Sequence, residues 1–154
     1  MPHMPQNVTS AAQECMFCLI ALKQAEASVV YQDETVVAFM DRYPVTPGHL
    51  LVVPRNHAVG LEDLDEAAGA QVWSVANKMA RALRRSSLRC DGINLLLCDG
   101  EVAFQTVFHV HLHVIPRYAG DGWTISPKTL DRERSLLDSD AAAIQTATRH
   151  GGSG

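Results

Sequence analysis

Residues 108–117 read FHVHLHVIPR and place histidine at every second position of an apolar run. The valine, leucine, isoleucine and phenylalanine around them favour an extended chain, in which side chains alternate between faces. His109, His111 and His113 then share one face, and Val110, Leu112 and Val114 share the other. Residues two apart on a strand lie about 6.5–7 Å apart, so His111 alone has an imidazole on each side. Removing three imidazoles from water together is unfavourable unless partners or chemistry retain them. The segment therefore reads as functional.

Working outward, the pattern is α+β. CMFCLIALK, residues 15–23, is a short apolar turn or helix, and SVVYQDETVVAFMD, residues 28–41, is two strands joined at the polar QDET. HLLVVP, residues 49–54, is a third strand closed by Pro54. From Asp65 to Leu88, Ala68, Val72, Val75, Ala76, Met79 and Leu83 recur at helical spacing and describe one long amphipathic helix. GINLLLC and TVFHVHLHVIP add two strands around the loop DGEVAFQ, and residues 129–147 form a more weakly periodic C-terminal helix. No internal repeat or low-complexity segment is evident.

Two chemistries suit the histidine face. Neutral imidazoles are metal ligands, and a His-x-His pair can hold a catalytic zinc. Alternatively, an imidazole with its ordinary pKa of about 6.5 is largely neutral at pH 7, so one nitrogen can attack phosphorus while the other keeps a proton. Gln105, Thr106 and nearby backbone amides can bind phosphate oxygens, which favours the nucleophile. Arg117 adds a cation just downstream. Cys15 and Cys18 form a Cys-x-x-Cys pair, a spacing that lets two thiolates reach one zinc.

The whole chain limits these choices. Its 154 residues suit one domain with a sizeable core, and 47% hydrophobic with 19% charged residues is ordinary for a globular protein. A net charge of −4 argues against a broad nucleic-acid footprint. With no apolar run of membrane length and no signal pattern at MPHMPQNVTS, a cytoplasmic protein with free or metal-bound thiols and no membrane partner is expected.

His109-Val110-His111-Leu112-His113-Val114-Ile115 resembles the signature of the histidine triad (HIT) superfamily, and AFMDRYPVTPGHLLVVPRNH resembles that family's other region, with Asp41, Pro47, His49 and His57 in matching places. The similarity runs from about Cys15 to Tyr118. It implies a HIT-like α+β fold: an antiparallel sheet of about five strands, one long helix packed on it, and a homodimer. The expected organisation is a flexible N-terminus at 1–12, the HIT domain at 13–120, a C-terminal extension at 121–148 and a flexible tail at 149–154.

The resemblance also implies a nucleotide hydrolase acting on a nucleoside phosphoramidate or dinucleoside polyphosphate, with a purine nucleoside 5′-phosphate derivative as partner. His111 would be the nucleophile and carry a nucleotidyl intermediate. His113 would contact phosphate or leaving group, and His49 would help hold the nucleophile's tautomer. Asp41 would accept the ribose hydroxyls, with Met16, Phe17, Ile20 and Phe39 lining a base pocket. Similarity to bacterial zinc-containing members implies a closed structural zinc on Cys15, Cys18, His57 and His109, with no catalytic metal required.

The chain departs from the family pattern at Phe104, where glycine is usual, and at Cys98, where an amide is usual. Two rivals stand beside the hydrolase: a non-catalytic nucleotide sensor, and a zinc hydrolase using the three histidines as its metal site. A DNA-end processor fits poorly, since no basic module is present. Trp123 and the segment after it are candidates for shaping leaving-group choice.

Overall fold

Five short apolar runs pair into one antiparallel sheet in the computed structural model, which describes residues 14–151. The expected flexible N-terminus at 1–12, and residues 152–154 of the expected tail, lie outside the described residues. A short helix α1 (Met16–Ala21) precedes β1 (Val29–Gln32), β2 (Val36–Met40) and β3 (Leu50–Pro54). The long helix α2 (Glu66–Arg85) follows, then β4 (Gly92–Leu97), a 3-10 turn (Glu101–Ala103) and β5 (Leu112–Arg117). Strand order is β1-β2-β3-β5-β4, which puts β5 inside the sheet and β4 at its edge.

Strand alternation divides the core in two. Val36 and Ala38 of β2, Leu50 and Val52 of β3, and Leu112 and Val114 of β5 pack under Val72, Val75, Ala76, Met79 and Leu83 of α2. These are the helix positions that the sequence periodicity selects. The opposite set, Val37, Phe39, Leu51 and Val53, packs with Phe17, Ile20 and Ala21 of α1. Because α1 is only six residues long, it covers part of that second face. Leu51 is registered against His113, and Met40 against Leu50, so Asp41, His49 and His113 fall on the α1 face by the same alternation.

Asp65 starts α2 as its N-cap, accepting from the Ala68 amide at 3.0 Å, and Arg84 and Arg85 lie in the last turn, where cations favour the helix dipole. Gly48 supplies the turn into β3. Its φ is +93°, and a Cβ there would press on Leu83, Leu88 and Pro116 at 3.0–3.1 Å, so only glycine fits without displacement.

One expected strand is shorter than its sequence suggests. β5 begins at Leu112, so residues 106–111 do not join the ladder and His113 is the one triad histidine within a strand. β3 pairs with β5 only over Leu50–Val52. Beyond it Pro54 has no N–H to give, and its carbonyl instead accepts from His109. The Val110 amide leaves the sheet direction too and donates to the Ala58 carbonyl at 2.8 Å.

The chain divides into two units, one to Gly122 and one from Trp123. The second contains α3 (Arg134–His150) and, just ahead of it, Arg132 paired with Asp140 at 2.6 Å. Among the described residues, no helix is long and apolar enough to cross a membrane.

The β1–β2 turn is a clamp. Asp33 accepts from the Thr35 and Val36 amides at 2.8 Å, from the Tyr31 hydroxyl at 2.9 Å and from Gln71 of α2 at 2.8 Å. Burial opposes its charge, but these donors win and hold its pKa at about 2, against 3.8 for the free group. The folded carboxyl is thus the stronger acid, so its contribution is complete above pH ~4 and is lost as pH falls through about 2. Asp33→Ala is expected to lower stability by about 1–2 kcal/mol at neutral pH. The difference from wild type should shrink between pH 4 and 2, as measured by urea unfolding.

Candidate active site and metal cluster

The four proposed metal ligands come from three separated segments. Cys15 and Cys18 sit at the start of α1, His57 in the loop after β3, and His109 just before β5. Their side chains meet. Cys15 Sγ lies 3.4 Å from His109 Nδ1, Cys18 Sγ 3.4 Å from His57 Nδ1 and 3.5 Å from His109 Nδ1, and the two Nδ1 atoms are 3.2 Å apart. A tetrahedral zinc with bonds of about 2.0–2.3 Å sets its ligand atoms roughly 3.3–3.8 Å apart. The observed spacings match this within a few tenths of an ångström.

His109 is fully buried, and its Nε2–H donates to the Pro54 carbonyl at 2.8 Å. That bond leaves the Nδ1 lone pair facing the thiols, which is how an outer-shell acceptor orients a metal-binding histidine. Burial carries its pKa down to about 4, so the ring is neutral at pH 7. Cys18 is pushed the other way, to about 11, by burial and by the adjacent Cys15. Two thiols and two imidazole nitrogens at this spacing form a donor set suited to zinc, whose positive charge would favour the thiolates.

The backbone also fixes the tautomers of the remaining histidines. His111 Nδ1 lies 2.8 Å from the His109 carbonyl. A carbonyl only accepts, so Nδ1 carries the proton and Nε2 keeps its lone pair. The Val45 amide donates to His49 Nδ1 at 3.1 Å, which places the His49 proton on Nε2. That proton faces His113 Nδ1 at 2.9 Å, with Asp41 Oδ2 at 3.4 Å. His113 therefore accepts at Nδ1 and presents Nε2–H.

This corrects the expected role of His49, which contacts His113 rather than holding the His111 tautomer. The His109 carbonyl does that. Sequence reading missed both the carbonyl and the Val45 amide, because backbone groups leave no residue-type signal; the sharp VTPGH turn that aims His49 was the available hint.

Among the described residues, Asp41, His49 and His113 form a second group with the donor types of a metal site. With its Nδ1 accepting the Val45 N–H, His49 holds a proton on the very nitrogen a metal would need. The group is better described as a hydrogen-bond chain.

Electrostatically, the site keeps its imidazoles neutral. Burial lowers the His111 pKa against the opposing pull of the His109 carbonyl and Asp41. His113 falls to about 4 through burial and then through its His111 and His49 neighbours. His49 falls by burial, with Asp41 partly opposing. The Phe17 ring stands edge-on to both His109 and His111, with centroids 5.8 and 5.1 Å apart, and fixes the triad against α1.

The other candidates are distributed unevenly. Phe17, Ile20 and Phe39 are buried beside the triad in the α1 cluster, whereas Met16 points to solvent. Asp41 follows β2 half-buried, with Oδ1 accepting from the Tyr43 amide at 2.8 Å. Thr106 is exposed. Gln105 is buried and already engaged: its Oε1 accepts from the Gly100 amide at 2.8 Å, and its Nε2 donates to the Val59 and Val107 carbonyls at 2.6 and 3.2 Å. Gln105 thereby ties the loop before the triad to the loop carrying His57.

Gly60 extends the same seam, for a Cβ there would collide with the Asp99 carboxylate. Cys98 is buried after β4, and burial raises its thiol. Phe104 has a left-handed backbone, φ 72° and ψ 20°, which costs a bulky residue about 1–2 kcal/mol. Arg117 is a structural cation, paired through Nε and Nη2 with Asp121 at 2.7 and 2.9 Å and donating from Nη1 to Asn94.

The HIT domain profile matches residues 22–120. An uncharacterised HIT-like protein of Mycobacterium tuberculosis is 38% identical over 141 residues, covering 84% of this chain and 97% of that protein. The crystal structure of a HIT family protein from Bacillus anthracis superposes with a TM-score of 0.82 at 38% identity, covering 87% of this chain and 96% of the other. That of a zinc-bound histidine triad family protein from Mycobacterium smegmatis does so with a TM-score of 0.71 at 41% identity, covering 88% and 99%. A profile match over most of the sheet-and-helix body, with relatives covered almost end to end, leaves one conclusion about descent: the chain belongs to the HIT family.

Proposed function

We propose that the chain is a nucleotide hydrolase that transfers a nucleoside 5′-phosphate from a phosphoramidate or phosphoanhydride onto His111 and then to water. One observation carries this reading. His111 donates Nδ1–H to the His109 carbonyl and so keeps an Nε2 lone pair available as nucleophile. Attack forms the bond from Nε2 to phosphorus and breaks the bond to the leaving group, which departs with its electron pair; an amine leaving group takes the proton it needs from solvent water, and the attacking water of the second step returns one to solvent. The imidazole then carries positive charge, and its remaining proton lies against the carbonyl, where that charge is stabilised. Water next attacks phosphorus, returning the electron pair to Nε2 and releasing a nucleoside monophosphate.

His113 supports the transfer as a hydrogen-bond donor through Nε2–H. A ring that protonates only near pH 4 is neutral at pH 7 and holds no surplus proton to give, so its contribution is electrostatic. Asp41 keeps a lone pair on each oxygen for ribose hydroxyls, and Thr106 offers an exposed hydroxyl to phosphate. Gln105 serves here by fixing the loop. The base stacks beside Phe17, Ile20 and Phe39, with Met16 at the pocket's rim.

The zinc-hydrolase alternative needs three histidine nitrogens on one ion. His109 is instead aimed at the thiols, and the nitrogen that His111 turns toward the His109 carbonyl bears a proton. We infer a structural zinc on Cys15, Cys18, His57 and His109, which would supply a cross-link and no step of the reaction. We also infer a homodimer, supported by exposed Trp73 on α2 and by β4 with its exposed Leu96, an edge strand among the described residues, both of which a second copy would cover.

Intact-protein mass spectrometry during turnover of adenosine 5′-phosphoramidate is expected to detect a nucleotidyl adduct that His111→Asn lacks. Binding of the nucleoside monophosphate without adduct or product would instead make the protein a sensor. In ¹⁵N spectra at neutral pH, His111 should show a protonated Nδ1 and an unprotonated Nε2; the opposite tautomer would remove the proposed nucleophile. The purified chain should hold about one zinc, and stripping it should lower stability by ~3 kcal/mol or more, while His111→Asn leaves metal content unchanged.

A further inference from the structure

Thr46 is a buried hydroxyl in the turn between β2 and β3, 4% exposed. Its Oγ1–H donates to the Pro116 carbonyl at 2.7 Å, and Pro116 lies on β5 just beyond His113. Within the turn, the Thr46 carbonyl accepts from the His49 amide at 3.2 Å. The amide of Val45, the preceding residue, donates to His49 Nδ1 at 3.1 Å. One hydroxyl therefore fastens the segment that carries His49 to the strand that carries His113.

That fastening bears on where protons sit. The Val45 amide and the Asp41 carboxylate, 3.4 Å from His49 Nε2, both favour a His49 protonated at Nε2. His49 Nε2–H then meets His113 Nδ1 at 2.9 Å and leaves the His113 proton on Nε2. If the turn drifts and the amide withdraws, Asp41 alone opposes a His49 protonated at Nδ1. In that form two lone pairs face each other across the 2.9 Å contact unless His113 moves its own proton to Nδ1. His113 Nε2 would then offer a lone pair where it now offers an N–H.

A second hydroxyl ties the same turn. Tyr118 donates to the Pro47 carbonyl at 2.8 Å, but Pro47 is exposed, so water can replace that donor. Pro116 is fully buried, and its carbonyl depends on Thr46.

We propose that Thr46 is a positioning residue that acts through His49 to fix which nitrogen of His113 carries the proton; its consequence for catalysis rests on the nucleotidyl-transfer reading above.

In ¹⁵N spectra at neutral pH, wild type should show both His49 and His113 protonated at Nε2. Thr46→Val and Thr46→Ala should each convert His113 to a mixture of Nδ1–H and Nε2–H forms. Thr46→Ser keeps the donor and should restore the wild-type pattern, and Tyr118→Phe should preserve it. With adenosine 5′-phosphoramidate, kcat of the two hydroxyl-free variants should fall about tenfold while KM stays within about twofold of wild type, because the misplaced N–H serves charge that develops during transfer.

Wild-type tautomers in the hydroxyl-free variants would overturn the proposal, and so would an equal shift in Thr46→Ser or Tyr118→Phe. An unchanged kcat in variants whose tautomers do shift would overturn the catalytic consequence. Thr46→Ala sets no methyl against the Pro116 carbonyl and supplies the reading should Thr46→Val not fold. Should wild type turn over no nucleotide, nucleotidyl transfer fails as a function, and the tautomer comparison alone decides the role of Thr46.

Discussion

Much of this structure hangs on His109, which makes three connections at once. Its Nε2–H is held by the Pro54 carbonyl at the end of β3, its Nδ1 faces the thiols of α1, and its own carbonyl holds the Nδ1 proton of His111. Moving the ring moves the peptide that follows. The cysteine–histidine cluster and the candidate nucleophile are therefore coupled through one residue's backbone. Side chains from three distant segments meet at His109, where residues 106–111 have no ladder to hold them.

The sheet supplies the other constraint. With α2 packed along one face, the residues aimed beneath it are apolar, and Leu112 and Val114 obey. The opposite face is only partly covered by α1, which leaves room for Asp41, His49 and His113 at the ends and middle of adjacent strands. Polar groups collect where the second layer runs out. The turn through Thr46 and Gly48 contributes by locking His49: Thr46 Oγ1 donates to the Pro116 carbonyl at 2.7 Å, and the Val45 amide reaches the ring.

The fold was legible wherever side-chain pattern determines it. Short apolar runs marked all five strands, and the spacing of Val72, Val75, Ala76, Met79 and Leu83 marked the face of α2. Histidine spacing was less dependable. It places three rings on one face, yet His109 turns away because Pro54 ends the ladder and offers a carbonyl instead. Gln105 has the chemistry of a phosphate ligand and is used as a loop clamp, a choice made by the Val59, Val107 and Gly100 backbone. Hydrogen bonds to main-chain atoms decide such roles, and sequence names only one of the two partners. The wall residues Phe17, Ile20 and Phe39 were ambiguous for another reason: a pocket lining and a core share one composition.

Keeping the histidines neutral has a structural consequence for the chemistry. Protonating either His111 or His113 would set a charge beside the other's ring, with centroids 4.8 Å apart in a largely desolvated site. Asp41 opposes this only in part. One neutral ring thus offers a lone pair and the other an N–H. In the proposed reaction, the single positive charge that nucleophilic attack would create arises on His111, against the His109 carbonyl already in place. A site that began with a protonated imidazole beside that nucleophile would have to hold two charges at that moment. On that proposal, the burial that depresses these pKa values reserves the favourable position for the charge that the reaction would create.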